Sequence, residues 1–129
     1  MTVRPGDHIA ASVTRSSTSY ALKVTDSTTA GNSFSTTQAC AAATCTDTSA
    51  EWVAQRLVNI ATGTLFPLIN FGAWTLKGAT VKAGARSGTI SSFPDNEITM
   101  VNSGGKVLAQ PGPLNSGGNS FKVIWKAGK

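Results

Sequence analysis

The stretch Ser49–Arg56, read SAEWVAQR, concentrates side chains that could do chemistry. Glu51, Trp52 and Gln55 fall within five residues of one another. A carboxylate can accept a proton, whereas a side-chain amide can only orient a water or donate to a developing oxyanion. Such a set is the raw material of acid–base hydrolysis, or of a groove that has lost it. Asp95 and Glu97 form a carboxylate pair, two residues apart. A charge cluster at a loop end is the commoner meaning of that spacing. His8 is the only histidine, so no Ser–His–Asp arrangement can be built around it. Cys40 and Cys45 are the only cysteines. With one histidine and no second cysteine pair, no structural zinc site is expected, and no metal or cofactor is called for. A local Cys40–Cys45 disulfide is the favoured reading, with two buried free thiols as the alternative. A disulfide would pin the loop ahead of SAEW and would indicate an oxidising compartment.

The elements that must position these residues read as strands. Ile9, Ala11 and Val13 alternate with polar partners, as do Tyr20, Leu22 and Val24, which predicts a hairpin or meander. A further strand is expected around 33–38. From about 50 to 58 the same period of two puts Glu51, Val53 and Gln55 on one face and Trp52, Ala54 and Arg56 on the other. Strands are also expected within 68–77, 79–83, 97–102, 106–110 and 121–126, with a loop over 84–96. Eight to ten short strands without sustained helical periodicity predict an all-β sandwich or barrel in a single domain, 1–129.

Composition agrees. Ser and Thr make up about a quarter of the 129 residues, and only 13% are charged, roughly half the usual share. Thr favours strands, and Gly, Ser and Asn favour turns. The net charge is +5, but the basic residues are scattered without a run of three. A nucleic-acid footprint would need clustering with interleaved aromatics, so no nucleic-acid partner is expected. No apolar run reaches the 18 or so residues a membrane helix needs, so no membrane partner is expected either. Trp52 and Trp125 read as core aromatics, with Trp52 a weaker candidate to line a cleft; Trp74, between Ala73 and Thr75, reads as the better groove wall.

Four stretches together resemble the glutamic peptidases, or eqolisins. PGDHIAASVT through SYALKVTD is similar to the family's Gly-Asp-x-Ile strand pair, and STTAGNSFSTT to the turn that follows it. Cys45 ahead of AEWV, then FGAWTL, then the C-terminal run ITMVNSGGKVLAQPGPLNSGGNSFKVIW complete the likeness in order. The resemblance implies an antiparallel β-sandwich of the lectin-like jelly-roll type and endopeptidase activity at acid pH. It also implies a catalytic pair, a glutamate that activates water and a glutamine that positions it and stabilises the oxyanion.

Two departures bear on activity. The family motif Ala-Glu-Trp-Ile-Val-Glu ends on the catalytic glutamate; here it reads Ala50–Gln55, so that position holds Gln55. The family's catalytic glutamine lies in an N-terminal half whose strands are expected to be missing from this chain. Glu51 is the one weak substitute, but four residues of strand separate it from position 55 by about 13 Å, far beyond the reach of a general base. The expectation is therefore a secreted, glutamic-peptidase-like sandwich that acts on or binds peptides and proteins but is impaired in catalysis. A peptide- or glycan-binding module is one alternative. A self-associating β-protein is another, completing itself as a homodimer or with a separate N-terminal chain.

Overall fold

The computed structural model describes residues 1–40 and 45–129; the interior of the Cys-flanked loop lies outside the described residues. The fold is all-β and antiparallel, with a single short 3-10 turn at Ile90–Ser92 as its helical content among the described residues. The chain divides into two compact units, Met1–Ser49 and Ala50–Lys129.

The first unit is a three-stranded meander of β1 (Ile9–Ser16), β2 (Ser19–Asp26) and β3 (Ser33–Ala39). The alternation seen in the sequence becomes two chemically distinct faces. Register aligns Ala11 with Val24 and Val13 with Leu22 on β1 and β2, and Val24 with Phe34 on β3, which gives one face an apolar centre bordered by Arg15, Thr36 and Gln38. Ser12, Lys23 and Ser35 lie on the other. The apolar face is open to solvent, with Val13 66% and Phe34 53% exposed. At one end of the meander, Asp26 is buried and ties the β2–β3 turn. Its carboxylate accepts N–H bonds from Thr28 (2.8 Å), Thr29 (3.2 Å) and Asn32 Nδ2 (2.8 Å). At the other end, Asp47 accepts a hydrogen bond from the Tyr20 hydroxyl and pairs with Arg15 at 2.6 Å. The Cys40–Cys45 disulfide lies two residues before Asp47.

The second unit is built on a four-stranded sheet ordered β4 (Ala73–Leu76), β9 (Phe121–Trp125), β8 (Val107–Pro111) and β7 (Met100–Val101). A separate hairpin pairs β5 (Thr80–Ala83) with β6 (Arg86–Thr89) across a two-residue turn in which Gly84 supplies the positive φ of 63°. Register in the larger sheet puts Met100, Ala109 and Trp125 in one row, with Val123 and Trp74 in the next. Leu108, from the opposite face of β8, is the one large side chain buried completely among the described residues. Its carbonyl accepts from the Lys126 and Ala127 N–H groups at 2.8 and 3.1 Å.

Three strand expectations change. Residues 50–58 form no named strand; among the described residues the ladder contact there is an isolated Val58–Leu65 bridge. A strand needs a hydrogen-bonded neighbour as well as alternating side chains, and here the alternation stands without one. The loop expected over 84–96 contains β6 and the 3-10 turn. The strands expected over 68–77 and 97–102 shorten to Ala73–Leu76 and Met100–Val101.

Candidate functional site

Trp52 to Arg56 alternate in exposure with a period of two. Val53 and Gln55 face solvent, and Trp52, Ala54 and Arg56 are half-buried. This is the pattern of extended chain, and it keeps the predicted face of Glu51, Val53 and Gln55 together on the exposed side. From Leu57 onward the chain turns back as a hairpin held by Leu57 O to Phe66 N (3.0 Å) and Asn59 N to Thr64 O (2.8 Å). Arg56 joins the two arms, its Nε donating to Phe66 O at 2.9 Å. Backbone groups of residues 52–56 pair with no other backbone group among the described residues.

Beside this segment lies an open groove of about 260 Å³. Gln55, Arg56, Val58 and Leu65 form one wall, and Ile98, Met100 and Val101 on and before β7 form the other. The volume falls short of the roughly 300–1,000 Å³ of enclosed small-molecule sites. Among the described residues, no carboxylate lines the groove. Gln55 is the only amide residue and Arg56 the only charged residue of the lining among the described residues, and the two lie on opposite faces of the extended segment. Glu97 directly precedes Ile98, but it is exposed and is not a lining residue.

Other sequence candidates fall elsewhere. Glu51 is exposed and lies outside the groove lining. Trp52 is half-buried on the side of the extended segment opposite Gln55, and it does not line the groove. Trp74 is half-buried on β4, opposite Val123. Three strand spacings separate β4 from β7, about 14 Å, so Trp74 is not a wall of this groove. Trp125 is half-buried, its indole N–H directed at Leu68 O at 3.5 Å. His8 and Asp95 are exposed, and no group of three or more His, Cys, Asp or Glu poised to hold a metal occurs among the described residues. A hollow of about 320 Å³ beside the β2–β3 turn has Arg4 as its only charged lining residue and no candidate base. Sequence reasoning missed the groove's far wall, Ile98 to Val101, and the role of Arg56 in bracing the near one; nothing local in either stretch announces a partner more than forty residues away.

Burial penalises the charged form of Asp26, but hydrogen bonds from Asn32, Thr28 and Thr29 outweigh it and hold its carboxyl below the usual carboxylate range. The hydrogen bond to Asp47 raises the Tyr20 hydroxyl above its ordinary value of 10.0. Both groups belong to the first unit and stabilise its turns; neither lines the groove.

Within the described residues the fold is all-β and antiparallel, and its second unit carries an open groove beside an extended segment. The chain belongs to the Peptidase A4 family, whose model matches residues 1–121. Its fold is similar to that of aspergilloglutamic peptidase from Aspergillus niger, with a TM-score of 0.74 and 24% sequence identity over 98% of this chain and 70% of that one. A comparison with curated proteins gives no match. The resemblance to the glutamic peptidases and the expected fold class are thereby both upheld.

Proposed function

We propose that this chain is a glutamic-peptidase-like module that holds extended peptides in the groove beside Gln55 without hydrolysing them. One observation carries the reading: among the described residues, the groove lining includes an amide residue and no carboxylate. An amide cannot take a proton from water in any working pH range. Losing a general base costs a factor of about 10²–10⁴ in rate, and Glu51 lies outside the groove lining to replace it. Binding draws on a different feature. The backbone of residues 52–56, open beside the groove, can pair with an added strand, while the apolar wall receives its alternate side chains; this is recognition by strand addition.

The test is fluorescence anisotropy of a labelled, extended apolar peptide with the whole chain, followed by mass spectrometry of the recovered peptide. Binding should weaken at least tenfold in Ile98→Asp, whose position is 61% exposed and so tolerant of the change, and the peptide should return intact. Cleaved peptide, or binding that Ile98→Asp leaves untouched, would overturn the reading.

The Cys40–Cys45 disulfide supports residence in an oxidising, extracellular setting. Thiol labelling of chain recovered from the medium would check it, since a free, reactive pair would contradict export. The exposed apolar face of β1–β3 favours a second reading, in which copies of the chain pair through that face. Light scattering that finds only monomer at high concentration would remove it.

A further inference from the structure

We propose that the groove selects peptides in which an acidic side chain neighbours an apolar one, with Arg56 as the residue that reads the acid. The inference rests on the groove reading above and adds the class of ligand. The first unit carries Arg4, Arg15 and Lys23 against Asp7, Asp26 and Asp47, three charges of each sign, and is neutral overall. The second carries eight Lys and Arg against Glu51, Asp95 and Glu97, eight less three, so the entire +5 resides in the unit that contains the groove. A potential of one sign over a groove raises the local concentration of oppositely charged ligands.

Long-range charge brings an acidic chain to this unit; Arg56 gives it a place to dock. The half-buried Arg56 lines the groove. Its Nε donates to Phe66 O at 2.9 Å, beside the groove residue Leu65, which fixes the plane of the guanidinium. That contact uses one of five N–H donors, and Arg56 pairs with no acid among the described residues. A guanidinium held in this way, whose Nη groups have no partner among the described residues, matches the two oxygens of a carboxylate. Val58, Leu65, Ile98 and Met100 supply apolar contact next to it. The bound chain thus presents an aliphatic side chain to the groove and a Glu or Asp to Arg56. A basic peptide would meet like charge and an uncompensated guanidinium.

The experiment compares three labelled peptides with the full chain by anisotropy. They share an extended Val- and Leu-rich sequence and differ at one position, which is Glu, Gln or Lys. The Glu peptide should bind about tenfold more tightly than the Gln peptide, and the Lys peptide more weakly than either. In Arg56→Gln the Glu and Gln peptides should converge, with the Gln peptide still bound. Lys82→Gln removes the same charge from the β5–β6 hairpin, outside the groove lining, and should leave most of the preference in place. Equal binding of the Glu and Gln peptides by the unaltered chain would overturn the selectivity while leaving the groove intact. Loss of preference in Lys82→Gln equal to that in Arg56→Gln would also overturn it, by showing that only diffuse charge acts. Failure of all three peptides to bind would overturn the groove reading and this inference with it.

Discussion

Replacing Leu108 with Ala should destabilise the second unit by about 3–4 kcal/mol and disable the groove with it. Leu108 is fully buried, and the change removes three carbons from a closed site. Their transfer is worth about 2.4 kcal/mol at about 0.8 kcal/mol each. A residual cavity of about 50 Å³ adds about 1.2 kcal/mol at about 24 cal/mol per Å³. The backbone cannot collapse easily onto the gap, because the Leu108 carbonyl holds both the Lys126 and Ala127 N–H groups. A unit of about 80 residues has roughly 4–12 kcal/mol of stability in all, and each kcal/mol moves its midpoint by about 4–8 °C. Circular dichroism melts should therefore show a fall of at least 12 °C. Peptide affinity should fall in parallel, since β8 carries the β7 strand of the groove wall. Ile60→Ala, at a position 96% exposed, is the control and should change stability by less than about 0.5 kcal/mol. A Leu108→Ala loss below about 1 kcal/mol, or a loss equal to that of the control, would refute the packing argument.

Two titrations test the first unit. Asp26 has a folded-state pKa below its unfolded value, so its contribution to stability is complete above the ordinary carboxylate range and is lost as pH falls through the folded value. Urea melts of Asp26→Asn should accordingly show their largest deficit near neutrality and a shrinking one below about pH 4; a deficit that grows on acidification would reverse the sign. Tyr20 is the chain's only tyrosine, so ultraviolet titration reads it alone. It should titrate above 10 in the unaltered chain and move down towards that value in Asp47→Asn, and an unmoved midpoint would rule out the Tyr20–Asp47 bond as the cause.

How far the sequence could be read depends on what each element needed. β1 and β2 were legible because their alternation is satisfied inside one meander of neighbouring strands. The stretch 50–58 carries equally good alternation, and its faces were read correctly, but pairing depends on a neighbour that side chains do not disclose. The β6 strand was hidden by Gly88 and the nearby Gly84 and Pro94, which read as loop. Gly88 is there for close packing: a Cβ at that position would sit 2.5 Å from the Ser92 Cβ, so no larger residue fits under the 3-10 turn without a shift. At the groove, Gln55 was legible through family likeness alone. Arg56 and the Ile98–Val101 wall come together through tertiary packing across more than forty residues of chain. Trp74 illustrates the converse, an aromatic of the right type placed on the opposite edge strand of the sheet.

The lack of a general base in the groove is tested most directly by incubating the purified chain with a denatured protein substrate from pH 2 to 5 and sequencing the products by mass spectrometry. The account predicts no cleavage above that of a blank preparation at any pH. New peptide ends that appear with the unaltered chain and vanish in Glu51→Gln or Gln55→Ala would contradict it.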